Sequence, residues 1–264
     1  MPAAGRHWLR AGRPRSPFKI APTYEKFGGS GLADLYGNKL AKAPSLKAST
    51  FESKVFLNRG GHFEARALPV EVQLTPVLGI NVADFDGDGA EDIFVGQNFF
   101  AAQIETPRID AGRGLILRGD GKGNFSPMSG LASGLNVPGD ARGSAVADYD
   151  GDGRPDLAVA QNGAQTKLFH NTGAKPGLRV RLTGRDGNAT ALGAQIRIVA
   201  GDKSGPVREL HGGSGYWSQD SAVAVLAAPE VGAKLWTRWP GGKEAMTEIP
   251  AGARQVTATA PGDK

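Results

Sequence analysis

The sequence predicts an all-β protein in which part of a β-propeller is followed by a small antiparallel β-sandwich or barrel, with one short helix near the N-terminus. Two observations predict this arrangement. A segment rich in aspartate and glycine occurs at residues 82–98 and again at residues 146–162, with 11 of 17 aligned positions identical. Repeated units of roughly 50–64 residues that contain several short strands are typical of propeller blades. Beyond residue 176, apolar and polar residues alternate with a period of two, which is typical of half-buried antiparallel strands.

The chain of 264 residues divides into four predicted segments. These are a basic disordered tail plus a helical insertion at 1–50, propeller repeats at 51–175, a second β domain at 176–258 and a tail at 259–264. The helix is expected within residues 22–43, where Ser30 is a candidate N-cap.

Composition excludes several classes of function. Cysteine is absent, which excludes disulfides, thiolate metal sites and cysteine nucleophiles. Five basic residues and no acidic one lie in residues 1–19, and without them the remaining charges balance. A nucleic-acid-binding protein should carry its basic excess on the folded body, so we expect no nucleic-acid partner. The sequence has neither the ~20 apolar residues of a transmembrane segment nor the apolar core of a signal peptide.

The repeated acidic segment predicts metal binding. Its carboxylates are Asp84, Asp86, Asp88 and Asp92 in the first copy, and Asp148, Asp150, Asp152 and Asp156 in the second. Two such charges about 4 Å apart repel by roughly 4 kcal/mol near a protein surface, so the cluster either spreads into water as a simple turn or surrounds a cation. Oxygen donors with no His or Cys nearby favour Ca²⁺. We therefore expect two Ca²⁺ sites, each completed by a peptide oxygen, that of Ala90 or of Arg154.

The spacing D-x-D-x-D-G also begins an EF-hand loop, but the rest of that motif is missing. An EF-hand needs a bidentate Glu at the twelfth position and a helix on each side. The twelfth positions here are Val95 and Val159, and both loops are flanked by β-forming residues. The sequence therefore predicts a site between two strands.

The segments DFDGDGAEDIFV and DYDGDGRPDLAV resemble the FG-GAP/VCBS repeats of integrin-α-like β-propellers. The resemblance implies that each acidic loop joins two strands of a blade and binds Ca²⁺. A closed ring of seven such blades needs more residues than this chain has. We therefore expect a partial propeller, the C-terminal fragment of a longer protein with its missing blades upstream.

The later part of the chain resembles the ASPIC/UnbV domain. The matching segments are GLRVRLTG at 177–184, ALGAQIRIVAG at 191–201, RELHGGSGYWSQD at 208–220 and LWTRWPGGK at 235–243. In the cartilage acidic protein-like family this domain follows FG-GAP repeats. The resemblance implies an extracellular, periplasmic or cell-surface protein that binds calcium and brings no catalytic residue set.

A glycine-rich loop at residues 212–219 contains hydroxyl, amide and aromatic side chains. Ser214, Tyr216, Trp217 and Gln219 are candidate ligand-binding residues for a polar or carbohydrate surface. The alternative is a glycine-rich bend whose Tyr216 and Trp217 fill the core.

These observations favour a non-enzymatic, calcium-binding interaction or adhesion protein that meets a protein or carbohydrate partner. The alternative is an accessory or tailoring enzyme of a bacterial biosynthetic pathway, such as an enediyne-like one, or of a surface-polymer pathway. The four histidines are far apart in the sequence and give no catalytic constellation. A third alternative, nucleic-acid binding through the basic tail, predicts steep salt dependence.

Overall fold

A computed structural model describes residues 20–102 and 106–262. The basic tail predicted for residues 1–19 lies outside the described residues. The chain forms two compact units, one ending at Phe51 and the other beginning at Glu52. No helix in these described ranges is long and apolar enough to cross a membrane.

The first unit contains short helical segments. They are α1 (Tyr24–Gly28), α2 (Leu32–Tyr36) and a 3-10 helix (Gly37–Lys42). The prediction of one helix is therefore wrong in detail, because the run of glycine and serine at residues 28–31 interrupts it. Ser30 is not an N-cap, since its Oγ donates to the Lys26 carbonyl at 2.6 Å. Thr23 caps α1 instead. Gly31 immediately precedes α2, and its amide donates to the Asp34 carboxylate.

The second unit consists almost entirely of strands. Its repeat region contains β1 (Lys54–Asn58), β2 (Phe63–Ala67), α3 (Val70–Gln73), β3 (Val77–Ala83), β4 (Asp92–Gln97), β5 (Leu115–Gly119), β6 (Phe125–Met128), α4 (Gly130–Ser133), β7 (Asp140–Ala147), β8 (Asp156–Asn162) and β9 (Ala164–Phe169). The following domain contains β10 (Leu178–Thr183), β11 (Gln195–Ala200), β12 (Lys203–Ser204), β13 (Arg208–Glu209), β14 (Val223–Leu226), β15 (Lys234–Arg238), β16 (Glu244–Glu248) and β17 (Gln255–Thr259).

The repeats form successive antiparallel sheets. Strands β3-β4-β5-β6 make a four-stranded sheet, β7-β8-β9 make a three-stranded sheet, and β1 pairs with β2 in a separate hairpin. The first strands of the two larger sheets, β3 and β7, pack against each other, as the inner strands of neighbouring blades do. Gly79 allows this approach, because a Cβ there would lie only 2.7 Å from Ser144 Oγ. The all-β, propeller-like fold is therefore confirmed.

A hydrophobic core lies between these two sheets. Phe94, Val137 and Val159 have no exposed surface, and Ile116 and Leu157 pack with them. Burying a side chain of this size contributes roughly 1.5–3 kcal/mol, so this cluster holds the two repeats together.

The second β domain is a two-layer structure. One sheet has the order β14-β10-β17, and the other contains β11, β12, β13, β15 and β16. Leu178, Val180, Ile196 and Leu235 are fully buried between the sheets. The domain is not purely antiparallel, because β17 runs parallel to β10. The chain crosses to the other sheet for β15 and β16, and it returns in the same direction as β10.

Candidate functional site

The two acidic segments form matching loops between strands. The first loop (84–92) joins β3 to β4, and the second loop (148–156) joins β7 to β8. Gly87 and Gly89 have φ of 74° and 94°, and Gly151 and Gly153 have φ of 80° and 85°. Other residues rarely adopt these values, so the repeated D-G-D-G sequence is what permits each coil. The strand–loop–strand arrangement agrees with the rejection of an EF-hand.

Three carboxylates converge in the first loop. Asp84, Asp86 and Asp92 each offer an oxygen atom, and these atoms lie within 4.8 Å of one another. The Asp84 carboxylate accepts hydrogen bonds from the amides of Gly87 and Gly89, at 2.8 and 2.9 Å. The coil is therefore wrapped around the first aspartate.

The second loop repeats this arrangement. Asp148, Asp150 and Asp156 bring oxygen atoms within 4.8 Å of one another. Asp148 accepts from the amides of Gly151 and Gly153, both at 2.9 Å. The sequence repeat is therefore also a repeat of three-dimensional geometry.

The last aspartate of each loop ties the loop to the rest of its sheet. Asp92 accepts from the amide of Phe85 at 2.9 Å and from that of Gly119, in β5, at 2.8 Å. Asp156 accepts from the amides of Tyr149 and Asn171 at 3.1 and 2.8 Å. These bonds fix the orientation of both carboxylates within the converging groups.

The third aspartate of each loop stands apart from the main group. Asp88 accepts from the Ala90 amide at 2.8 Å, and Asp152 accepts from the Arg154 amide at 2.9 Å. Within the described residues, Asp88 joins no cluster of three candidate ligands, whereas Asp152 clusters with Asp150 and His170. Metal ligation by the peptide oxygens of Ala90 and Arg154 stays a prediction.

Burial changes the titration of these carboxylates. Asp92 is 1% exposed, and this burial raises its pKa to about 6. The negative charge of Asp86 also raises the pKa, whereas the hydrogen bond from the Gly119 amide lowers it. Burial also raises the pKa of Asp84 and of Asp156. Concentrated negative charge in a poorly solvated place is the environment that a bound cation would stabilise.

Basic side chains approach the two loops differently. Arg118 pairs with Asp86, and its Nη2 lies 3.7 Å from Asp88 Oδ2. In the second loop, Arg154 pairs with Asp152, while Arg179 Nε lies 2.8 Å from Asp148 Oδ2. Among the described residues, the aspartates of the second loop thus have two arginine partners, whereas those of the first loop have one.

The expectation that no histidine lies near the acidic loops is wrong for the second loop. His170 Nε2 lies 2.9 Å from Asp150 Oδ2. A signal for it was present in the repeat: Ile93 pairs with Leu117 and Leu157 pairs with Phe169, so His170 occupies the position that Arg118 has in the first copy.

The glycine-rich loop at residues 212–219 lies on the surface. Tyr216 is 44% exposed and Trp217 is 92% exposed, so the alternative in which they fill the core is wrong. Ser214 is half-buried, its amide bonded to the Ser218 carbonyl at 2.9 Å, and Gln219 is exposed. A ligand role for these residues stays a prediction.

Tyr216 belongs to a larger surface that also involves the repeats. The Arg142 guanidinium lies 4.9 Å from the Phe99 ring centre and 5.8 Å from that of Tyr216. The Arg108 guanidinium lies 5.0 Å from the ring centre of Phe100, the residue that follows Phe99. We call the following residues the aromatic–arginine patch: Phe99, Phe100, Arg108, Arg142, Tyr216 and Trp217.

A buried polar contact joins this loop to the repeats. Asp220 Oδ1 accepts from Asn81 Nδ2 at 2.8 Å and from the Val146 amide at 2.7 Å. Burial raises the pKa of Asp220. The two strands contacted, β3 and β7, are those that lead into the acidic loops.

Strand–loop–strand repeats with converging carboxylates, followed by a two-sheet domain, define a propeller-repeat protein with an appended β domain. The family described as FG-GAP-like repeat matches residues 99–159, which include the second loop. The family described as ASPIC and UnbV matches residues 184–264. The chain therefore joins FG-GAP-type repeat sequence to an ASPIC/UnbV domain, which confirms the architecture that the resemblance implied.

A curated protein with this similarity is Cartilage acidic protein 1 of Xenopus tropicalis. It is 27% identical over 177 residues, which cover 64% of this chain and 26% of that protein. The chain thus spans about a quarter of the length of the curated relative that it matches.

Proposed function

We propose that this chain is a calcium-stabilised, non-enzymatic interaction protein of the extracellular space or cell surface. The observation that carries the proposal is the convergence of three carboxylates in each acidic loop, the first and last of which are buried. Buried carboxylates that face one another are unfavourable unless they are protonated or paired with a cation.

The donor set of each loop fits calcium. Ca²⁺ takes six to eight oxygen ligands in a flexible geometry, and the first loop offers only oxygen donors. Asp84, Asp86 and Asp92 would hold the ion there, and the Ala90 peptide oxygen and water would complete its coordination. Bound Ca²⁺ would supply positive charge and fix the conformation of the loop.

Calcium in the loops would also stabilise the join to the second β domain. Arg179 pairs with Asp148 of the second loop, and Arg208 pairs with Glu91 of the first. The Lys175 amide donates to the Asp86 carbonyl at 3.4 Å. Ordered loops would therefore hold the ASPIC/UnbV domain in place against the repeats.

The aromatic–arginine patch is the surface that we propose meets a protein or carbohydrate partner. Trp217 is nearly fully exposed, and Arg142 holds Tyr216 close to the repeats. Aromatic faces and arginine are enriched at binding surfaces. An array of neutral and anionic oligosaccharides, probed in calcium, tests the carbohydrate alternative, with Trp217→Ala as the binding-deficient variant.

A thermal unfolding experiment tests the calcium proposal. EDTA is expected to lower Tm, and added Ca²⁺ is expected to restore it. With a Kd of about 10⁻⁴–10⁻³ M, about 10 mM Ca²⁺ stabilises the folded state by roughly 1.4–2.7 kcal/mol per site. Asp86→Asn combined with Asp150→Asn should abolish the response.

The matched control is Asp202→Asn, which changes an exposed aspartate outside both loops. It should respond to Ca²⁺ as the unmodified protein does. An equal response in the Asp86/Asp150 double variant would show that the loops are not the calcium sites.

A further inference from the structure

The two repeats differ in the basic residue at one equivalent position that faces the acidic loop. Arg118 contacts Asp86 and Asp88, whereas His170 contacts the equivalent Asp150 and Asp152. A guanidinium does not bind metal ions in proteins, because it keeps its proton and has no acceptor. A neutral imidazole is the commonest nitrogen ligand for metals. The second repeat therefore has a donor that the first lacks.

The geometry around His170 suits a shared ion. Its Nε2 lies 2.9 Å from Asp150 Oδ2 and 3.8 Å from Asp152 Oδ2, and one ligand atom from each of the three residues lies within 4.8 Å of the others. The Tyr149 ring packs edge-on to the imidazole, with 5.6 Å between ring centres. This contact restricts the orientation of the imidazole.

The histidine is also reachable. Its side chain is 41% exposed, and it lines a cavity of about 490 Å³ together with Asp86, Leu131 and Phe169. An ion held at His170 would therefore have an entry path from solvent.

We propose that the second repeat binds a first-row divalent cation such as Zn²⁺ or Mn²⁺ through Asp150, Asp152 and His170, with Arg154 giving up its pairing with Asp152, and that the first repeat offers such an ion no nitrogen ligand. Two carboxylates with one imidazole form a mixed oxygen and nitrogen donor set, which favours such ions over Ca²⁺. Asp150 belongs to both the calcium cluster and this one, so the two ions compete at the second loop. The inference extends the proposed metal-binding function to a second class of ion at one loop.

Reciprocal substitutions test the inference. Metal-stripped protein titrated with Zn²⁺ by calorimetry should show one site that His170→Arg weakens at least about tenfold, a loss typical of impaired metal sites. Arg118→His, which gives the first repeat the same donor, should add a second site. His211→Gln removes an exposed histidine near a single carboxylate, Glu209, and should leave binding unchanged.

Spectroscopy identifies the ligand independently of affinity. Protein loaded with Mn²⁺ should show nitrogen coupling in pulsed electron paramagnetic resonance, and His170→Arg should remove that coupling. Equal Zn²⁺ binding by His170→Arg, or Mn²⁺ without nitrogen coupling, would overturn the inference.

The calcium-dependent rise in Tm, measured on the same variants, separates this inference from the proposed calcium function. Circular dichroism of each variant controls for folding. A calcium response with no nitrogen coupling contradicts only the His170 site. Nitrogen coupling with no calcium response contradicts only the calcium proposal.

Discussion

Arg179 of β10 lies with its Nε 2.8 Å from Oδ2 of Asp148, whose side chain is fully buried. This ion pair connects the second acidic loop to the first strand of the second β domain. Asp84 is the equivalent aspartate of the first loop, and it forms no ion pair within the described ranges 20–102 and 106–262. The guanidinium therefore neutralises part of the second loop before any metal binds.

Replacing Arg179 should make the second loop more dependent on calcium. In EDTA, Arg179→Gln leaves Asp148 buried without its partner, so Tm should fall below that of the unmodified protein. In Ca²⁺, the ion takes over the neutralising role, and the two proteins should have closer Tm values. The difference in Tm between the two conditions, measured by thermal unfolding, checks this.

Arg181→Gln is the matched control for this experiment, because Arg181 lies exposed on the same strand. Its response to Ca²⁺ should equal that of the unmodified protein. If Arg179→Gln destabilises the protein equally with and without Ca²⁺, the guanidinium and the ion do not share a role.

The stability of the metal-free protein should depend on pH through Asp92. Burial raises its pKa to about 6 in the folded state, above its usual value of 3.8. Between these values the folded state binds more protons than the unfolded state, so stability falls as pH rises from about 4 to about 6. Asp92→Asn removes the titration and should flatten this part of a Tm-against-pH curve recorded in EDTA.

Calcium should reverse this trend, because a bound cation favours the ionised carboxylate. A fall in Tm of the same size in Ca²⁺ and in EDTA would argue against metal binding at Asp92. An equally steep fall in Asp92→Asn and in the unmodified protein would show that another group causes it.

Two glycines of the first loop should differ in their tolerance of alanine. Both have positive φ, so either substitution strains the backbone by about 1–2 kcal/mol. A Cβ at Gly87 would also lie 2.6 Å from the Lys175 carbonyl oxygen, whereas at Gly89 the nearest atom, Ala227 Cβ, is 3.7 Å away. Gly87→Ala should therefore reduce the free energy of unfolding more than Gly89→Ala, as measured in urea. Equal losses would mean that the Lys175 backbone does not press on this loop.

Replacing each of two tryptophans of the second β domain should have very different effects on the free energy of unfolding. Trp239 is 4% exposed, and Trp239→Ala should cost about 3–5 kcal/mol of unfolding free energy. Trp217 is 92% exposed, and Trp217→Ala should change that free energy by about 0.5 kcal/mol or less. Urea unfolding checks both values. A large loss in Trp217→Ala would show that this residue supports the fold and does not simply face a partner.

The parts of the fold that depend on local pattern could be predicted from the sequence. The D-G-D-G repeat requires positive φ at fixed positions, and the alternating residues on either side predict the flanking strands. These two features are enough to predict loops in which aspartates converge, but not that Asp88 and Asp152 stand apart from the main group. His170 could also have been found, because the repeat aligns it with Arg118.

Features that depend on distant contacts could not be predicted in this way. Nothing in the pattern around Asp148 indicates that Arg179 will face it, since the ion pair depends on how a separate domain docks. The parallel pairing of β17 with β10 likewise depends on the path of the chain through the other sheet. The exposure of Trp217 could not be decided from the sequence, because a glycine-rich loop with aromatic residues is compatible with both a core and a surface position.

The parallel pairing of β10 with β17 has a kinetic consequence. It brings Val180 opposite Val256, so one sheet stays incomplete until nearly all of the domain has been synthesised. Contacts between residues so far apart in the chain form slowly, because a long loop must close first. During translation, the nascent repeats would fold ahead of the domain that later covers their aspartates.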